Sequence, residues 1–237
     1  MSKPYAQLVP SVERRLSAWI SISEARASGA QTGPRPTITL SRRFGCEAFP
    51  LCERLKELLD TMTGESWNIY DKALIEKVSQ DENLALAVLQ DLGGPSRAID
   101  RIGFLVPGYQ TQSEVFRHIP KYLVKIAETG NAIIVGRGGA VVTHDMPHCY
   151  HFRLEASLDY RVASVARRME ISPAEAKKVV REGERTREQF IDECLHATVA
   201  DPSWYDAVFN NARHTTAEIA RSIVAYVLGD RIHVHPM

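Results

Sequence analysis

Arginine is the residue type through which this sequence could do chemistry. Arg137 stands in Gly136-Arg137-Gly138-Gly139, directly after the run Asn131–Val135 (NAIIV). A continuous apolar run of that length reads as a buried parallel strand, and open α/β sheets bind ligands in the crevice beyond the carboxyl ends of their strands. A guanidinium placed there can hold a phosphate through two parallel hydrogen bonds. The alternative is a glycine-lined turn that leaves the arginine in solvent. A second set, Arg161, Arg167, Arg168, Arg181, Arg185 and Arg187, lies between Asp159 and Phe190. Arg181 and Arg185 are four residues apart and share a helix face. Arginines converging from a lid would stabilise the charge spread over a transferring phosphoryl group. Glu170, Glu175, Glu182, Glu184 and Glu188 interleave with them, which equally describes a solvated, ion-paired pair of helices.

The stretch Thr37–Met62 offers a place for phosphates. A β-forming run, Thr37–Leu40, passes through a turn beginning at Ser41 into a helix marked by Leu51, Leu55, Leu58, Leu59 and Met62. A strand-to-helix turn presents free N–H groups and the positive end of the helix dipole to an anion. A glycine-rich phosphate cradle also needs several glycines and a Lys followed by Ser or Thr. This turn has Gly45 alone, no lysine before Lys56, and Glu47 and Phe49 in its second half. A carboxylate in that position repels a phosphate.

Asp71, in Tyr70-Asp71-Lys72, ends a short strand-like segment, Trp67–Asp71. It either orients an acceptor, or a water on Mg²⁺, or it caps the next helix. Arg97 and Arg101 fall in an irregular segment, Ser96–Gln110, where an acceptor site would be built. His144, His148, Cys149 and His151 match no standard ligand spacing, and no metal site is expected. Cys46, Cys52, Cys149 and Cys194 include no CxxC pair and read as reduced thiols.

Elements that could position these groups alternate along the chain. Helical segments are expected at Lys72–Gln80 and Asp81–Leu92, before a break at Gly93-Gly94-Pro95. A long helix follows over Thr111–Thr129, with a kink or break at Pro120. A strand over His148–Glu155 leads to a helix capped by Ser157 and ending near Met169. Ser172, Pro173 and Glu175 form a capping box for a helix reaching about Leu195. A last strand spans Tyr205–Asn210, and Thr215 with Glu218 caps a final helix ending near Gly229. Alternating strands and helices predict a parallel sheet with helices on both faces. Residues 1–36 stand apart: a helix capped by Ser11 and carrying Val12, Leu16, Trp19 and Ile20, then a small and polar linker. That helix either docks on the domain or serves as an arm joining two copies into a homodimer.

At 237 residues and 44% hydrophobic content the chain can bury a sizeable core. Twenty-nine basic residues balance 29 acidic ones, so no net field recruits nucleic acid or a membrane surface. No apolar run is long enough to span a bilayer and no cleavable signal is evident; a soluble, cytoplasmic protein is expected.

The stretch ITLSRRFGCEAFPLCERL resembles the first motif of the cytidylate kinase-like family, strand, then S-R-x-[FY]-G-[SC]-G-G, then helix. Ser41, Arg42, Phe44, Gly45 and Cys46 match it, while Glu47 and Ala48 stand where the paired glycines should be. Tyr70-Asp71-Lys72, Gly136-Arg137-Gly138 and Asp201-Pro202 with Tyr205-Asp206 follow in the family's order, so the likeness runs from about Thr37 to Leu228. It implies a three-layer α/β/α P-loop kinase-like sandwich with a parallel sheet and a helical lid, over residues 37–229, with 230–237 a tail. It further implies a phosphotransferase moving a phosphoryl group from ATP, with Mg²⁺, to a nucleoside monophosphate or similar small acceptor. Ser41, Arg42, Phe44, Gly45 and Cys46 would hold donor phosphates. Arg168, Arg185 and Arg187 would act on the transferring group, and Asp71, Arg101 and Arg137 would bind the acceptor. The changed loop keeps a second reading open, an inactive nucleotide-sensing or protein-interaction module on a decayed kinase scaffold.

Overall fold

A computed structural model describes residues 35–75 and 114–229. The expected N-terminal helix, linker and dimer arm, the helices beyond residue 75, Arg97, Arg101 and the C-terminal tail lie outside the described residues.

Strand β1 (Thr37–Arg42) is the centre of the sheet. It pairs in parallel with β3 (Ala132–Val135) on one side and β4 (Cys149–Glu155) on the other. Strand β2 (Asn68–Tyr70) extends the sheet beyond β3, and β5 (Ala207–Asn210) beyond β4. The order is β2-β3-β1-β4-β5, and every pairing is parallel. Parallel pairing places all five carboxyl ends on one edge, where the loops that follow can converge.

Six helices flank the sheet among the described residues: α1 (Ala48–Thr63), α2 (Glu114–Thr129), α3 (Gly139–Val142), α4 (Leu158–Met169), α5 (Pro173–Leu195) and α6 (Thr216–Leu228). Successive strand side chains point to opposite faces, and both faces are covered. Ile133 and Val135 join Ile38, Leu40, Phe152 and Leu154 against Leu51, Leu55 and Leu59 of α1 and Ile219 and Ile223 of α6. Ala132 and Ile134 face the other way, onto Ile119, Leu123 and Ile126 of α2 and Val142 of α3. The result is a three-layer α/β/α sandwich. Helices α4 and α5 form a separate hairpin with its own small apolar cluster around Val165, Ala176 and Val180.

Local chemistry sets the boundaries. Ser157 accepts the Tyr160 N–H at the start of α4, and full capping boxes form at Ser172–Glu175 and Thr215–Glu218. The structure refines the expected elements: β2 and β5 are shorter than expected, at Asn68–Tyr70 and Ala207–Asn210. Ser41 and Arg42 belong to β1, because they pair with Arg153 and Leu154 of β4. Helix α2 runs through Pro120 without a break. The glycine turn after β3 opens a further short helix, α3, whose start at Gly139 packs directly under Thr39 and Ile134. Among the described residues no helix is long and apolar enough to cross a membrane.

Candidate functional site

The site lies at the carboxyl edge of the sheet, between the turns after β1 and β3 and one face of α5. A cavity of about 730 Å³ opens there, in the size range of small-molecule sites. Arg42, Arg137 and Arg187 line it, with Val135, Val179, Phe190 and Ile191 among its apolar walls. Arg42 comes from the last position of β1, and its guanidinium lies over Gly136, where any Cβ would stand 2.0 Å from Nη1. Burial lowers Arg42 below the usual arginine value, and the charge of Arg137 adds to the effect. Arg187 is lowered too, first by burial and then by Arg42. Guanidinium groups nevertheless keep their charge at neutral pH, so the cavity gathers cations at an unfavourable distance from water.

Arg137 is held with φ +54°, in the left-handed region that side chains other than glycine enter rarely. Its Cζ lies 4.4 Å from the centre of the Phe190 ring, and Arg187 Cζ lies 4.8 Å from the Phe44 ring. Both contacts fix the heads of long side chains by cation–π attraction.

The turn after β1, residues 43–47, is spoken for by the protein itself. The Phe44 N–H donates to Glu184 Oε2 at 2.8 Å, and the Glu47 N–H donates to Asn211 Oδ1 at 2.7 Å. The Arg43 N–H goes to the Leu154 carbonyl and the Cys46 N–H to the Arg43 carbonyl. Glu47 caps nothing at the start of α1; its carboxylate accepts from Ser164 Oγ at 3.1 Å and pairs with Arg167. Gly45 has φ +99°, and a Cβ there would sit 2.8 Å from Arg161 Cβ, so helix α4 lies directly over the turn. Burial pushes the Cys46 thiol up to about 11, and it serves as packing.

These residues do not fit the triphosphate of ATP as they stand. The amides of residues 43, 44, 46 and 47 already donate to protein acceptors, no lysine is present in the turn, and the Glu184 carboxylate already holds the Phe44 N–H. Asp71, the carboxylate available for Mg²⁺ at the end of β2, accepts the Leu74 N–H at 3.0 Å and caps the helical turn at residues 72–75. It also lines a second cavity of about 370 Å³ with Gly45, Cys46 and Arg168.

Of the residues singled out in the sequence, Ser41, Arg42, Phe44, Arg137 and Arg187 line the larger cavity. Arg168 turns back on the loop, donating to the Gly45 carbonyl at 3.0 Å. Arg185 stands on the outer face of α5, exposed and paired with Glu182 at 2.6 Å, and does not line that cavity. Asp201 caps a 3-10 turn through the Ser203 N–H, and Asp206 accepts the His151 N–H, so that motif braces β5 against β4.

Three residues of consequence were not singled out. Glu184 stands among interleaved acids, and Gly183 and Asn211 carry no motif. A signal existed for the first two. Val180, Gly183, Glu184, Arg187 and Ile191 form one stripe at helical spacing, and a glycine inside a helix costs about 1 kcal/mol against alanine unless packing needs it.

Comparison with known proteins agrees with this architecture. The model of the cytidylate kinase-like family matches residues 37–213. No curated protein matches the chain. Among solved structures, an uncharacterized protein from Eubacterium ventriosum superposes with a TM-score of 0.64 at 16% identity, covering 81% of this chain and 98% of that one. A shikimate kinase from Bacteroides thetaiotaomicron gives a TM-score of 0.44 at 12% identity, with 81% of this chain and 98% of that one covered. With its parallel sheet in the order β2-β3-β1-β4-β5, its helical hairpin and a family match over three-quarters of its length, the chain belongs to the cytidylate kinase-like family.

Proposed function

We propose that this chain binds a phosphorylated small molecule of the nucleoside monophosphate class in the arginine-lined cavity, as a nucleotide-responsive module on a kinase-like scaffold. The observation that supports it is the convergence of Arg42, Arg137 and Arg187 on one cavity. Burial lowers Arg42 and Arg187, and Arg137 is among the charges that lower each of them; an anion entering between the three offsets that repulsion. Charge-assisted and bidentate hydrogen bonds from guanidinium groups suit a phosphate dianion, while the apolar walls would receive the remainder of the ligand.

A second reading, transfer of a phosphoryl group from ATP to that monophosphate, is favoured by one feature. The smaller cavity adjoins the larger, shares Arg42, Phe44 and Arg187 with it, and reaches the turn after β1 at Gly45 and Cys46. Two phosphate-bearing ligands could lie side by side there if the turn released Glu184.

The test is calorimetric titration with CMP, dCMP, UMP and AMP, and then with Mg·ATP. One saturable monophosphate is expected, weakened at least tenfold in Arg137→Gly; a hydrogen bond to a charged group contributes roughly 1.5–3 kcal/mol. Glycine is chosen because it relaxes the left-handed backbone, so a binding loss does not report unfolding. Silence with every monophosphate overturns the proposal. Saturable Mg·ATP binding with turnover would move the conclusion to the kinase.

A further inference from the structure

The Glu184 carboxylate sits where a phosphate would sit. Oε2 accepts the Phe44 N–H at 2.8 Å and Arg161 Nη1 at 3.1 Å, and Oε1 accepts Arg43 Nε at 3.3 Å. Two guanidinium groups and one backbone amide of a strand-to-helix turn thus converge on a single anion. That anion belongs to helix α5, so the same contact that fills the turn also fastens the α4–α5 hairpin over it. Only 15% of the Glu184 side chain and 7% of the Arg161 side chain reach solvent, which protects the cluster from screening. Gly183, beside it, lets the helix come close enough: a Cβ there would lie 2.2 Å from the Phe44 ring.

We propose that Glu184 is an autoinhibitory latch, an internal phosphate surrogate that closes the hairpin and that a polyphosphate must displace to enter the turn. The carboxylate and an incoming phosphate compete for one set of donors, so binding at the turn and opening of the hairpin are the same event. This goes beyond the monophosphate reading and does not depend on it: Glu184 also borders the cavity at Arg137, but the donors it occupies belong to the turn after β1 and to Arg161.

The test is titration of the full chain with tripolyphosphate, which needs no base or metal to be recognised. Glu184→Gln removes the competing charge and is expected to bind at least tenfold tighter than wild type. Glu184→Asp keeps the charge but is one methylene short, and is expected to fall between the two. Asp192→Asn, two turns on and exposed on the same helix, removes an equal charge away from both cavities, and is expected to stay within twofold of wild type. Equal gains in Glu184→Gln and Asp192→Asn would reduce the effect to long-range electrostatics and overturn the latch. So would a folded Glu184→Asp or Glu184→Gln that binds no tighter than wild type. Should Glu184→Gln not fold, Glu184→Asp, which leaves Arg161 its counter-charge, decides alone. Arg137→Gly keeps the two proposals separate: it weakens the monophosphate, and adding Glu184→Gln to it should still tighten tripolyphosphate at least tenfold.

Discussion

Arg137 occupies a backbone conformation that its flanking glycines adopt freely and an arginine does not. A position with φ +54° that is nonetheless not glycine is held there by its surroundings, and residues so held concentrate at binding sites. His151 makes a contrasting case, because its perturbation is structural. The ring lies on the middle of β4, buried against Thr39, whose Oγ1 is 2.8 Å from Nδ1. Burial pushes it down to about 4, against the opposing pull of Asp206. The unfolded chain therefore takes up a proton near pH 6.5 that the folded chain refuses until about pH 4. Stability from this group is complete above pH 6.5 and falls as the pH drops through that interval. Urea denaturation should show a loss of about 2 kcal/mol between pH 6.5 and 5, at roughly 1.4 kcal/mol per pH unit. His151→Leu should lack that component; an unchanged slope in the variant would assign it to other groups.

At the scale of elements, most of the fold was legible because periodicity and caps speak locally. The start of the long helix at Pro173 follows from its capping box, and its end at Leu195 comes where His196 takes the left-handed conformation. The strands after Asn131 and His148 follow from composition and alternation. What was not legible is contact between distant segments. Glu184 meets the turn after β1 from 140 residues away, and its sequence neighbours are charges of both signs, so nothing local distinguishes it from Glu182 or Glu188. Arg181 and Arg185 share a face, as their spacing predicts, but that face is the exposed one. Gly183 allows the contact between the two elements to be weighed. Alanine in a helix interior is ordinarily favoured over glycine by about 1 kcal/mol. Here the added Cβ collides with the Phe44 ring, and overpacking costs roughly 1–3 kcal/mol. Gly183→Ala should thus destabilise the protein in thermal melts. In a Phe44→Ala background, which removes the ring, the same change should become neutral or stabilising. Equal effects in both backgrounds would mean that the ring is not what the glycine accommodates.

For the whole molecule, the uneven distribution of buried apolar groups sets which parts can move. The sheet is covered on both faces by extensive clusters that run through β1, β3 and β4 into α1, α2 and α6. Within the α4–α5 hairpin the buried apolar residues of the cluster are Val165, Ala176 and Val180, with Phe44 of the turn packed beside them. Between hairpin and turn the contacts are largely polar, with Arg43 and the Phe44 N–H on Glu184, Arg167 on Glu47 and Arg168 on the Gly45 carbonyl, while Phe190 and Leu195 at the far end of α5 pack on the core. Local opening free energy tracks buried apolar contact, and the exposed Arg167–Glu47 pair adds little to it, which leaves the shielded Glu184 cluster as the main polar fastening. Hydrogen exchange should therefore show the amides of α4 and α5 opening well before those of β1, β3, α1 and α6. Glu184→Gln should speed exchange in the hairpin by removing the latch while leaving the sheet unaltered, and tripolyphosphate should do the same to wild type while slowing the amides of residues 43–48. A hairpin that exchanges in step with the sheet would make the domain one cooperative unit, with no lid distinct from its core; the turn after β1 could then exchange Glu184 for a phosphate only by global unfolding.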